Sequence, residues 1–336
     1  SSSAPSCILI PFNAWGAWIM GLLLAEGIND PFATLVKTIP YNFYPFFALG
    51  LALWVVLSGK DFGPMKKAEQ RVRETGKYLS DNAKPMVSTE LTEMQMKSGL
   101  TPKAINMILP LSIMVLMMPV MLTYTGWDIA VAERPDEGFF SQLFYAIGEG
   151  SGSTSVLISV ISALSVAAIF YRVQGLFKLK DIMELTMKGI AGLMPLALLM
   201  MFAFAIVAIC KELETGLYVA DVASTWLSPN LVPFVVFLVS CFIAFSTGTS
   251  WGTFAIMLTI AIPMAREMDA PMLMTIAAAL GGGIFGDHCS PISDTTIVAS
   301  MASATDHIDH VRTQLPYALF AGIAAAIMYL IGGMFL

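Results

Sequence analysis

Residues 281–296 read GGGIFGDHCSPISDTT, and this polar stretch lies inside an apolar run that extends from 272 to 304. Two carboxylates (Asp287, Asp294), a histidine (His288), a thiol (Cys289) and four hydroxyls (Ser290, Ser293, Thr295, Thr296) sit between flanks hydrophobic enough for a bilayer. A charge at the centre of a spanning helix costs roughly 2.5 to 3.5 kcal/mol on insertion scales, so these acids require a function or a partner that offsets them. Pro291 and the glycines at 281, 282, 283 and 286 predict that the segment is not one continuous helix. At that depth non-helical backbone is tolerated where it is buried in protein or lines a cavity, which is how an ion site is built.

The rest of the chain supplies the membrane context. Of its 336 residues 57% are hydrophobic and only 12% charged, where soluble domains carry about a quarter charged residues. The expected fold is all-α, a polytopic bundle of transmembrane helices with broken or re-entrant members. Spans of the roughly 20 residues a bilayer demands are predicted near 6–27, 40–58, 104–125, 153–171, 190–210 and 314–336. Two longer runs are interrupted: 231–264 by STGTSWGT (246–253), and 272–304 by the acidic element. Paired interrupted segments are the pattern of broken helices that meet at a transport site.

Charge sets the orientation. The loop 59–103 holds half of the 18 Lys and Arg, so it is predicted to be cytoplasmic. The stretch with Arg172, Lys178, Lys180 and Lys188 should share that side, and the acidic Asp128, Glu133, Asp136 and Glu137 the opposite one. The net charge of −6 adds no information about a partner, and nothing points to nucleic acid. Cys7, Cys210, Cys241 and Cys289 lack metal-site spacing and read as buried thiols.

The chain opens on Ser1–Ser2–Ser3–Ala4–Pro5 without a Met or a charged leader, which predicts missing upstream sequence. Residues 1–58 then read as the tail of a first transmembrane repeat, 59–103 as the loop, and 104–336 as a repeat carrying both breaks. A faint echo agrees: Asn13, Trp15, Gly16 and Trp18 resemble the Ser250, Trp251, Gly252 stretch, and SSSAPS resembles CSPIS.

The residue types point to a hard cation. Asp287 and Asp294 can approach one centre from either side of Pro291, with Ser290, Ser293 and Thr295 adding oxygens. Thr247, Thr249 and Ser250 of the other break supply further hydroxyls and half-helix ends. Asp294 has a second reading, as the cap of the helix that follows. Burial disfavours a charged carboxylate, so such a group can hold a proton and release it when a cation arrives. His288 can join Asp287 as a proton relay, or be hydrogen-bonded structure. His307 and His310 read as a solvated helix end or loop, and Glu149, flanked by glycines, as a group at the water boundary, a second proton carrier or a re-entrant tip.

Three stretches, SSSAPSCILIPFNAWGAW (1–18), STGTSWGTFAIMLTIAIP (246–263) and GGGIFGDHCSPISDTTIVAS running on to TDHIDHVRTQLPYAL (281–319), resemble the NhaC family of sodium/proton antiporters within the ion-transporter superfamily. The resemblance implies a multi-pass secondary transporter of the bacterial inner membrane that exchanges Na+ for H+ without an organic cofactor or a resident metal. It carries the ion-site role to Asp287, His288, Ser290, Ser293, Asp294 and Thr295, with Thr247, Thr249 and Ser250 opposite. It also implies an N-terminal half before the SSSAPS element, and is compatible with a homodimer. Family members that exchange malate and lactate leave an organic-acid alternative, although neither interrupted segment places Lys or Arg at its break to pair with a carboxylate. A hydrolase using His288 and Cys289 is disfavoured, because adjacent side chains point apart and no HExxH or GxSxG is present. A passive channel is disfavoured because buried titratable groups suit coupled exchange.

Overall fold

A computed structural model describes residues 3–11, 13–80, 83, 103–135, 138–303 and 305–335. Most of the predicted cytoplasmic loop beyond position 80, with Lys84, Glu93 and Lys97, and the acids Asp136 and Glu137 lie outside the described residues. Helices make up the fold: α1 (Ser3–Cys7), α2 (Ala14–Ala25), α3 (Pro31–Thr38), α4 (Phe43–Ser58), α5 (Gly63–Thr75), α6 (Ile105–Glu133), α7 (Phe139–Glu149), α8 (Gly152–Val173), α9 (Leu179–Glu212), α10 (Thr215–Ser224), α11 (Val232–Thr247), α12 (Ser250–Glu267), α13 (Met272–Cys289), α14 (Asp294–Ala302) and α15 (His307–Phe335). Among the described residues six stretches are long and apolar enough to cross a membrane: Phe43–Thr75, Ile105–Glu133, Thr154–Val173, Pro229–Thr247, Met272–Cys289 and His307–Phe335.

The predicted spans at 153–171 and 190–210 fall within a helix, those at 104–125 and 314–336 match one (Ile105–Glu133 and His307–Phe335) as far as it is described, and the one at 40–58 begins in the 3-10 turn Ile39–Tyr41 before α4. The span predicted at 6–27 is instead interrupted, since α1 ends at Cys7 and α2 starts at Ala14. Asn13 starts α2 by accepting the Gly16 N–H on its side chain at 2.9 Å, an N-cap that a purely apolar count overlooks. Trp15 and Gly16 are the second and third residues of α2, as Trp251 and Gly252 are of α12, so the echo occupies matching positions after two helix starts.

The chain divides into two compact units. One comprises Ile10–Val36 and Gln95–Phe202. In it α6 packs against both α7 and α8, and α2 lies on α8. Backbone approaches backbone there, because a Cβ on Gly126 would meet the Ala146 carbonyl and one on Gly150 the Leu122 carbonyl.

The other unit comprises Ser1–Leu9, Lys37–Met94 and Ala203–Leu336, and α13 is its axis. Helices α11, α12, α15, α4 and α1 surround α13, and 83% of it is buried although its mean hydropathy of 1.2 is the lowest of the six spans. Protein, not lipid, solvates its polar end. The glycines expected to break the segment sit inside α13 and let its neighbours close in. Gly281 faces Asn42 and the Tyr329 hydroxyl, Gly282 the α11 backbone at Phe237 and Cys241, and Gly283 the Phe254 ring of α12. Successive positions turn by about 100°, so three adjacent glycines open three different faces.

The breaks themselves are local. Gly248 closes α11 in the left-handed region (φ +68°), Thr249 is extended, and α12 starts at Ser250. Pro291 stops α13: it holds the preceding Ser290 extended (ψ 137°), and α14 resumes at Asp294.

Candidate functional site

The two breaks touch. A Cβ on Gly248 would stand 2.7 Å from Ile292 Cγ1 and 2.9 Å from the Ile292 carbonyl carbon, so the glycine needed for the turn is also needed for the crossing. Asp287, with no exposed surface, lies one turn before the second break. Ser250 Oγ donates to its Oδ2 at 2.8 Å, and Ser293 Oγ donates to its Oδ1. Ser250 is the first residue of α12, and Ser293 caps α14, its oxygens accepting the N–H groups of Ile297 (2.9 Å) and Thr295 (3.2 Å). The carboxylate therefore sits at the amino ends of two half-helices, where backbone dipoles favour negative charge.

A second ring of polar groups steadies the C-terminal turn of α13. Thr295 Oγ1 and Ser293 Oγ are 2.9 Å apart. Thr296 Oγ1 donates to the carbonyls of Asp287 (3.3 Å) and His288 (3.2 Å), and Gln314 of α15 donates to the latter as well. Ser290 Oγ donates to the Phe245 carbonyl of α11 at 2.8 Å, tying one break to the other. His288 Nδ1 lies 2.8 Å from the Tyr44 hydroxyl of α4, and the Tyr44 ring meets Phe285 edge-on at 5.4 Å.

Such a site, a buried acid among hydroxyls and helix amino ends, suits an ion that can replace a proton. Residues 7–334 match the Na+/H+ antiporter family.

The chain belongs to that family.

Together with the six apolar helices this makes it a multi-pass membrane protein of a transporter family, not an enzyme. An uncharacterized protein of Haemophilus influenzae is 29% identical over 99% of the chain and 62% of its own length. The malate-2H(+)/Na(+)-lactate antiporter of Bacillus subtilis is 31% identical over 37% of the chain and 31% of its own length. An arginine/ornithine antiporter of Halobacterium salinarum is 28% identical over 33% of the chain and 26% of its own length. The chain thus spans less than two thirds of the length of these relatives. No solved structure matches it.

Of the ion-site residues expected from sequence, Asp287, Ser250 and Ser293 are in direct contact, and Thr295 is one hydroxyl further out. Ser290 is adjacent but spends its hydroxyl on α11. Thr247 is exposed and donates to the Ile243 carbonyl of its own helix, so it turns away from the acid. Thr249 contributes backbone, its carbonyl accepting from Thr253 Oγ1 at 2.8 Å. The Asp294 side chain lies outside the described residues; its backbone is the first residue of α14, and Ser293 accepts the Thr295 N–H at the start of that helix. His288 is buried, with its Nδ1 on the Tyr44 hydroxyl.

His307 departs from the solvated reading. It is 7% exposed, with Nε2 2.6 Å from the Pro291 carbonyl and Nδ1 3.2 Å from Ser300 Oγ, and so pins the second break to α15. Sequence reasoning also missed Tyr44 and Gln314. Only their polarity within apolar stretches could have flagged them, because their partners lie 244 and 26 residues away. Among the described residues no three His, Cys, Asp or Glu gather as for a bound metal.

Proposed function

We propose that the protein exchanges Na+ for H+ across the bacterial inner membrane, with Asp287 holding either the cation or the proton. One observation carries the reading: a carboxylate with no solvent exposure is hydrogen-bonded by two serine hydroxyls where two broken helices touch. A buried charge must be neutralised, and a proton and an alkali cation are the two neutralising species that fit a cluster of oxygens. Serine hydroxyls serve both states, because each rotates to donate to a carboxylate or to turn a lone pair towards a cation. A proton on Asp287 removes the charge that attracts Na+, and Na+ removes the site for the proton. Competition at one group is the minimum an antiporter requires.

The same reading keeps Asp294 as a second acid of the ion site and His288 as a relay. It also keeps residues 1–58 as the tail of one transmembrane repeat and 104–336 as a further repeat bearing both breaks.

Reconstituted in liposomes with an internal pH dye, the protein should move protons in response to a Na+ pulse. Asp287→Asn and Asp294→Asn should each abolish this while remaining folded. Undiminished exchange by Asp287→Asn would remove the mechanism. A second reading is favoured by the relative named a malate-2H(+)/Na(+)-lactate antiporter, namely that ion movement is coupled to an organic acid. Uptake of radiolabelled malate driven by a Na+ or proton gradient would select it.

A further inference from the structure

A cavity of about 280 Å³ lies beside the site, lined by apolar residues of α4 that include Ala52 and Val55, by Asp61 and Met65 at the α4–α5 end, by His310, Thr313 and Tyr317 along α15, and by His288. Its Asp61–Met65 end adjoins α5, which belongs to the Lys- and Arg-rich segment predicted to be cytoplasmic. A much smaller chamber, about 20 Å³, is lined by His288, His310 and Gln314 as well, and by Ser3, Thr295 and Thr296. These three shared residues form the wall between the two spaces. A chamber of that size holds one water, which needs roughly 10 to 15 Å³ and two to four polar partners. Gln314 is 4% exposed, and its Oε1 has no hydrogen-bond partner among the described residues, although its amide nitrogen is engaged with the His288 carbonyl.

Beyond the chamber the hydroxyls are already oriented. Ser293 has one hydroxyl proton and donates it to Asp287 Oδ1, so in its 2.9 Å contact with Thr295 it must accept. Thr295 therefore donates to Ser293, and Ser293 donates to the carboxylate.

We propose that the large cavity is an aqueous antechamber open to the cytoplasmic side, and that protons pass from it by way of His310, a water held at Gln314 Oε1, Thr295 and Ser293 to Asp287. His310 accepts a proton from solvent and gives it to the chamber water. That water passes a proton to Thr295 Oγ1, Thr295 releases its own to Ser293, and Ser293 releases its own to Oδ1. Each hydroxyl ends with one proton, and the net result is one proton delivered to the carboxylate. Reversal requires only that the hydroxyls rotate after the proton leaves. The titratable groups facing the antechamber are Asp61, which accepts from the Tyr317 hydroxyl at 2.8 Å, with Tyr317, His288 and His310. The destination of the proton rests on the antiport reading, whereas the aqueous route does not.

Two measurements separate these claims. With the native cysteines replaced, Ala52→Cys and Thr313→Cys should react with a charged, membrane-impermeant thiol reagent applied from the cytoplasmic side and not from the other. In liposomes His310→Gln and Thr295→Val should each slow Na+-driven proton movement at least tenfold. Thr295→Ser should retain it, and added imidazole should restore it to His310→Ala, a rescue that a merely structural histidine would not permit. Unreactive cysteines in a protein that exchanges would overturn the antechamber, and full-rate exchange by both His310→Gln and Thr295→Val would overturn the relay. Reactive cysteines in a protein that moves no protons on Na+ addition would sink the antiport reading and leave the route standing.

Discussion

Ser250 and Thr247 stand three residues apart across one helix break, and the structure assigns them opposite importance. Ser250 is fully buried with its hydroxyl 2.8 Å from Asp287 Oδ2, while Thr247 is exposed and bonded to its own helix at Ile243. A hydrogen bond to a charged group contributes about 1.5 to 3 kcal/mol, and one between neutral groups about 0.5 to 1.5 kcal/mol. Ser250→Ala removes the first from the ionised, cation-binding state and the second from the protonated state. The difference of about 1 to 1.5 kcal/mol penalises Na+ relative to H+, and at 1.4 kcal/mol per decade it weakens apparent Na+ affinity roughly five- to tenfold. The assay is Na+-dependent proton movement in liposomes at fixed pH, titrated with Na+. Ser250→Ala should shift half-saturation upward by that factor with the maximal rate largely kept, and Thr247→Ala should leave it unchanged. Equal behaviour of the two variants, with both folded by circular dichroism, would refute the assignment of Asp287 as the competing group.

Gly286→Ala would drive a Cβ into the α11 backbone at Phe245 and Cys241, so we expect overpacking of about 1 to 3 kcal/mol and a lower melting temperature in detergent, whereas Gly50→Ala, with open space around it, should be near neutral. His307→Ala should cost about 1 to 3 kcal/mol by leaving the Pro291 carbonyl and Ser300 without their imidazole partner, read as lower thermal stability and faster proteolysis near 290–293. At the end of α7, the hydrogen bond shared with Asp30, together with burial and the neighbouring carboxylates, pushes the Glu149 carboxyl up to about 7. The folded protein then binds a proton that the unfolded chain releases near the ordinary 4.5, so this group's contribution to stability is present at low pH and is lost as pH rises towards 7. Melting temperatures measured from pH 4.5 to 8 should fall across that window, and Glu149→Gln should flatten the fall.

The location of the candidate site was legible because helix breaks are local chemistry. Proline lacks an N–H and holds its predecessor extended, and glycine enters the left-handed region cheaply, so Pro291 and Gly248 announce interruptions from composition alone. Membrane class follows as directly, since a chain with 12% charged residues and long apolar runs has no other solvent in which to fold. Glycines at 281–283 read as breakers and are not, for the same reason that makes them useful. A residue without a side chain is equally suited to breaking a helix and to letting three neighbours approach it, and only the neighbours decide.

The partners of the acid were decided by tertiary structure. Whether a hydroxyl meets a carboxylate 37 residues away or the carbonyl four residues behind it depends on how α11, α12 and α13 pack, as Ser250 and Thr247 show. Tyr44, Gln314 and His307 reach the α13–α14 break from α4 and α15, and no periodicity in the chain encodes those meetings. The sequence by itself determined that the chain belongs in a bilayer, where its main breaks fall and that acid and hydroxyls cluster at one of them, because hydropathy and backbone freedom are properties of single residues. Packing alone decided which oxygens surround Asp287, because hydrogen bonds act over about 3 Å between groups that the chain brings together only when folded.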